Sequence, residues 1–339
     1  MNAMKTGKLS TGWCIALLLL PPVTALICLG IGRIGITPME ILAAIMDVFS
    51  GNFTVPALTR MTLWNLRLPR ILLAALAGAG LSTAGCAFQS LFANPLATPD
   101  TLGVASGASF GAALGLLLGF GMIGVQWTAL VMGAVAVTLT WLAGSGKATG
   151  LSTIVLSGIM MGSLFNALVS LVKFMADEES QLPAITYWLM GGLNHASYES
   201  LLLGAPPILA GIVILFLLRW RMNLLPLSDD EARSSGVNIS VLRGITVVCA
   251  TLITASCVSM CGQVGWVGLL IPHMCRMKFG SNHLSLLPAS LSTGAAFLIA
   301  VDTAARSVSA QEIPISILTA IVGAPFFIYL MRRTGGWSL

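Results

Sequence analysis

Long apolar runs, broken by short polar or Gly/Pro-rich stretches, fill the chain from Trp13 to Met331. Their lengths predict ten membrane-crossing segments at residues 13–31, 69–91, 101–118, 123–143, 151–174, 201–219, 241–260, 264–277, 286–308 and 313–331. The eighth is short and carries a proline. Residues 38–49 read as an amphipathic surface helix, and 183–191 as a similar short element. The pattern therefore predicts an all-α polytopic membrane protein. Residues 1–339 form one transmembrane domain, with a polar segment at about 221–240.

Composition sharpens this. Of 339 residues, 56% are apolar and only 9% charged, against about 25% charged in an ordinary soluble domain. Too few charges remain to cover a soluble surface, and no basic stripe suited to nucleic acid is present. The net charge of +5 becomes a topology signal. With the N-terminus inside, 11 of the 17 Lys and Arg fall on the cytoplasmic side, Lys5, Lys8, Lys147, Arg332 and Arg333 among them. The outside set is Arg33, Arg60, Arg67, Arg70, Lys173 and Arg306. Only 4 of the 12 acidic residues fall inside. Both termini are placed in the cytoplasm, which an even span count requires. Lys5 and Lys8 before an apolar run imitate a signal peptide, but Ile27 spoils the Ala25–Cys28 lipoprotein pattern. Residues 13–31 therefore read as a retained first span.

Chemistry-bearing motifs lead nowhere on their own. Gly107–Gly111 has the spacing of a nucleophile elbow around Ser109, yet it falls on a glycine stripe inside an apolar helix. Gly119–Gly124 matches a dinucleotide fingerprint with no strand before it, and Gly144–Lys147 matches only part of a phosphate loop. The seven cysteines contain no Cys-x-x-Cys pair, and the three histidines are scattered. Gly103, Gly107, Gly111, Gly115 and Gly119 recur every fourth residue, a face for close helix packing. Segments after Gly85 and after Gly262 share a small-apolar, proline, turn, helix order, a hint of duplicated halves. Carboxylates fall near span ends or in loops, which disfavours an ion-coupled secondary transporter. An intramembrane hydrolase would need a base beside Ser109.

Several ordered segments resemble one family. They are Leu66-Arg67-Leu68-Pro69-Arg70; Gln89 through Asn94-Pro95-Leu96 to Asp100; Leu102-Gly103-Val104; Leu224 to Gly236; Gly262 to Leu269 with Pro272, His273 and Arg276; and Asp302 through Arg306 and Glu312 to Pro325. Together they are similar to the permease subunits of ABC importers for iron–siderophore, haem and cobalamin, the FecCD-type family of type II importers. One departure is Ser281-Asn282-His283-Leu284, where members often carry Asp-His-Arg.

The resemblance implies a homodimer in the bacterial inner membrane, two cytoplasmic ABC ATPase subunits, and a periplasmic or lipid-anchored binding protein. ATP and Mg would sit on the ATPase subunits, with no cofactor or metal on this chain. The expected cargo is a metal chelate, foremost a ferric siderophore, with haem, cobalamin and molybdate or tungstate open. Asp229, Asp230, Glu231, Arg233 and Gly236 are expected to form the ATPase coupling segment, Gly236 as a helix C-cap. Asn94, Leu96, Ser152 and Thr153 are expected at a cytoplasmic gate, where turn and N-cap chemistry would also place such residues. Arg67, Arg70 and Arg306 are expected to meet carboxylates of the binding protein. The first two are placed in the first turn of a helix, against its dipole, and Arg306 within reach of Asp302 at i−4.

Overall fold

The computed structural model describes residues 9–32, 34–51, 54–144, 151–227, 231, 235–308 and 312–333. Of the expected residues, Lys5, Lys8, Arg33, Lys147, Asp229, Asp230 and Arg233 lie outside the described set.

Among the described residues every regular element is helical. The helices of the bundle are α1 (Thr11–Gly30), α3 (Ala57–Leu91), α4 (Val104–Leu117), α5 (Met122–Gly144), α6 (Leu151–Met175), α8 (Tyr198–Leu218), α9 (Ile239–Cys261), α10 (Val267–Phe279), α11 (His283–Val308) and α12 (Ile315–Arg333), and seven of them, all but α4, α10 and α12, are long and apolar enough to cross a membrane. The short helices α2 (Pro38–Ser50) and α7 (Gln181–Leu189) lie between crossings. Helix α2 starts with a capping box: Thr37 Oγ1 accepts from the Glu40 amide while the Glu40 carboxylate accepts from Thr37 N. Its outer side exposes Met39, Met46 and Phe49, and it buries Ile41, Ala44 and Asp47.

Three helices make the centre. In α3, α9 and α11 two thirds or more of the apolar window is buried, whereas α1, α5, α6 and α8 bury less than a third. Small residues such as Ala74, Ala77 and Ala84 are buried at the centre beside Leu73 and Phe88, and many large apolar ones face outward, as with Leu18, Phe174, Leu202 and Leu217. Lipid offers helices no hydrophobic reason to associate, so close backbone approach holds the centre instead. Gly78 on α3 lies against Gly294 on α11, and Ser82 Oγ donates to Ser290 O at 2.8 Å. The glycine stripe does the same elsewhere: a Cβ at Gly107 or Gly111 would strike the α5 backbone at Met132 or Thr128.

Prolines free carbonyls that other helices collect. Pro21 lacks the N–H that would bond Leu17 O, and Ser292 Oγ on α11 donates there at 2.5 Å. Pro272 likewise frees Gly268 O, which Gln89 Nε2 approaches at 3.5 Å. Helix α1 is thereby tied into the bundle.

Two crossings differ from the sequence expectation. Helices α4 and α10 have only 14 and 13 residues, about 20 Å each at 1.5 Å per residue and too short for the ~30 Å core. Val104 O lies beside Gly133, the midpoint of α5, and the Trp266 ring lies over Gly323, the midpoint of α12. Both helices thus begin near mid-depth and run to opposite sides. The chain before each, residues 92–103 and 262–266, dips inward to reach that point. Each short helix follows a long one, α3 or α9, in opposite orientation, the arrangement of an inverted repeat.

Candidate functional site

At the outer end, Arg67, Arg70 and Arg306 come together and line one cavity of about 260 Å³ with Gly32, Asn194 and Glu312. The expected helix start at Pro69 is corrected here. The helix begins at Ala57 and passes through a π-helical turn at Thr62–Arg67, so both arginines lie inside a continuous helix and escape the dipole penalty. Both are largely buried. Arg67 is 5% exposed and donates to Leu29 O and Ile34 O. Arg70 forks onto Asp302 at 2.8 and 2.9 Å and reaches Glu312 at 2.8 Å. Arg306 donates to Cys28 O at 2.7 Å, and its Nε has no hydrogen-bond acceptor, standing 3.9 Å from Asp302 Oδ2. The i−4 pair exists, but Arg70 holds the Asp302 carboxylate more closely. Three guanidinium groups stand with two carboxylates, of which Arg67 touches neither, leaving the cluster one positive charge in excess.

At mid-depth, the starts of α4 and α10 meet around a cavity of about 520 Å³ lined by Asp100, Ala105, Val264, Gly265, Trp266 and Ser316, among others. The Pro99 ring packs on Gly268. Trp266 holds a positive φ of 69°, a conformation that costs a bulky residue about 1–3 kcal/mol. Asp100 caps α4, accepting from Ala105 N at 2.9 Å and Ser106 N at 3.4 Å, with its side chain still exposed to the cavity. Among the described residues it is the one ionisable side chain lining that space.

On the cytoplasmic side, Ala93 has φ 46° and opens the turn in which Asn94 Oδ1 accepts from Leu96 N at 2.9 Å. Leu96 is 48% exposed. Ser152 and Thr153 are exposed in the first turn of α6. The loop from Asn94 ends against that same helix, Thr101 O on Gly158 and Gly103 on Gly162. Glu231 is exposed, and Gly236 has the left-handed φ of 73° that a C-cap takes. Ser109 lies mid-helix and buried, its Oγ without a partner.

Sequence reasoning paired Asp302 with Arg306 but missed Asp302 and Glu312 as the partners of Arg70, and Asp100 as a cavity residue. Only Asp302 carried a local signal, its i−4 spacing to Arg306.

Comparison with known proteins follows this geometry. A profile of the FecCD transport family matches residues 18–333. The chain belongs to the FecCD transport family. It is 39% identical to the molybdate import system permease protein MolB of Haemophilus influenzae over 323 residues, covering 94% of this chain and 96% of the relative. A Helicobacter pylori protein named for an iron chelatin transport system permease is 38% identical over 299 residues, 88% of this chain and 90% of that one. A solved structure, described as an inward-facing ABC transporter of the metal-chelate type, superposes with a TM-score of 0.85 at 38% identity, covering 96% of this chain and all of that one. This FecCD chain is a multi-pass permease subunit of an ABC importer, whose family works with ATPase and substrate-binding subunits.

Proposed function

We propose that this chain is one half of a homodimeric permease that carries a metal chelate, foremost a ferric siderophore, across the bacterial inner membrane. Two cytoplasmic ATPase subunits drive it, and a periplasmic or lipid-anchored binding protein loads it. The observation that favours a chelate is the mid-depth cavity. Its lining is neutral except for Asp100, which faces the space. A carboxylate there repels a small dianion in a medium of reduced dielectric, while a bulky chelate spreads or masks its charge. Molybdate is the second reading, favoured by the 39% identity to a molybdate permease.

A carboxylate of the binding protein would enter the outer cavity and neutralise the excess charge of Arg67, Arg70 and Arg306. Residues 229–236 would dock on the ATPase, and Asn94, Leu96, Ser152 and Thr153 would border the cytoplasmic gate. The test is uptake by the full assembly in proteoliposomes with its binding protein, comparing iron-loaded siderophore with molybdate. Preferred chelate uptake supports the reading, and preferred molybdate uptake replaces it with the oxyanion. Uptake by the permease alone, driven by an ion gradient, would make it a secondary transporter.

A further inference from the structure

One buried side chain lies between the two cytoplasmic segments just described. His283, the first residue of α11, is 3% exposed. Its Nε2 is hydrogen-bonded to Ser90 Oγ, and its Nδ1 lies 3.6 Å from Cys86 Sγ, both on α3. Its backbone N–H donates to Asn223 Oδ1 at 2.9 Å, and Asn223 Nδ2 donates to Asn282 Oδ1 at 3.2 Å. Asn223 sits in the turn Arg221–Leu224 that leads into the coupling segment. On the other side, the Ser90 and Gln89 carbonyls accept from Ala93 N and Asn94 N, the first residues of the gate loop. A continuous set of bonds therefore runs from Asn223 through His283 and Ser90 to Asn94.

These groups border a cytoplasmic cavity of about 590 Å³. Ala93, Asn94 and Pro95 form one wall, Asn223 and Pro226 another, with His283 between them. His283 joins the two walls, through its ring to Ser90 and through its backbone to Asn223. The strained φ of Ala93 sits one residue before Asn94, at the junction between the α3 end and the loop.

We propose that His283 is a positioning residue that transmits movement of the coupling segment to the gate loop. The proposal rests on the coupling and gate assignments above. Its physical content is one bistable element, the loop 93–97, whose position the coupling segment biases through a buried side chain. A histidine suits the task because its ring presents two polar atoms to one helix while its backbone serves another segment.

The test uses the permease assembled with its ATPase subunits in lipid nanodiscs. A Leu96→Cys reporter is placed in a background where Cys14, the exposed cysteine, is replaced by serine. Reaction with a maleimide is timed without nucleotide and after trapping with ATP and vanadate. The bridged protein should change its reaction rate on trapping by about 10-fold, within the usual range for a coupling between sites. His283→Ala should reduce that change below about 2-fold while ATP hydrolysis continues, because only the link is cut. Asn223→Ala should do the same from the other end, and His283→Gln, which can still bond Ser90, should restore most of the response. A purely packing role for His283 would lower thermal stability in His283→Ala and leave the nucleotide response in place. Retention of the full response in both alanine variants overturns the relay. If the bridged protein itself shows no response to trapping, the gate assignment fails first.

Discussion

Arg70 on α3 and Asp302 on α11 form a forked ion pair, with Nε and Nη2 both within 2.9 Å of Oδ1, across 232 residues of sequence. Asp302 is 1% exposed and Arg70 12%, so each carries the other's charge into a poorly solvated place. The pair fixes the outer ends of two central helices and sets the floor of the arginine cavity. Removing one partner strands the other. Arg70→Ala should cost about 3–5 kcal/mol and Asp302→Asn a similar amount, whereas an apolar pair such as Arg70→Met with Asp302→Leu should recover most of it. Thermal unfolding in detergent checks this, and a double variant no better than the singles would refute it.

Glu312 is the more exposed of the two carboxylates in that cluster, at 30%. Glu312→Gln raises the local excess from one positive charge to two. Binding-protein affinity should rise several-fold at low salt, and the gain should fade as added salt shortens the screening length from about 30 Å at 0.01 M to about 8 Å at physiological ionic strength. Charge reversal at Arg67 and Arg70 is a poor probe by comparison, because it would set new carboxylates beside Asp302 and unfold the site. Surface resonance on nanodisc-held permease reads the affinity. Unchanged or weaker docking in Glu312→Gln would remove the arginine cavity from the docking face.

The coupling segment has a topological test. A cysteine replacing Ser235, which is exposed, should react with a membrane-impermeant maleimide only from the cytoplasmic side. Glu231→Ala with Arg233→Ala should let ATP hydrolysis continue while import falls. Labelling from outside would invert the topology, and intact coupling of hydrolysis to import would move the ATPase contact elsewhere.

Close helix approach predicts a sharp contrast between two glycines. Gly111 faces the Thr128 carbonyl across the α4–α5 contact, while Gly121 has nothing within 4 Å of where a Cβ would stand. Gly111→Ala should destabilise by about 1–3 kcal/mol through overpacking. Gly121→Ala should be nearly silent. Melting curves of the two variants would settle the comparison, and equal behaviour would mean that the α4–α5 contact is not tight.

The crossings and their order were legible in the sequence because lipid imposes one rule, that every backbone polar group be satisfied within a helix, and apolar length reports it directly. The glycine stripe of α4 was legible too, since spacing by four defines a face. The resemblance from Arg67 to Pro325 likewise identified the family before any geometry. Tertiary structure alone decided the rest. Helices α4 and α10 start at mid-depth where Pro99 packs on Gly268 and Trp266 on Gly323, contacts between segments remote in sequence, and apolar length cannot tell a half-crossing from a short full one. Arg67 and Arg70 looked like outward-facing cations at a helix start. They are buried because the helix extends back to Ala57; Asp302 and Glu312, more than 230 residues away, bring the carboxylates that make burial of Arg70 tolerable, and the Leu29 and Ile34 carbonyls receive Arg67. A charge's cost depends on its neighbours in space, and those neighbours are chosen by the fold.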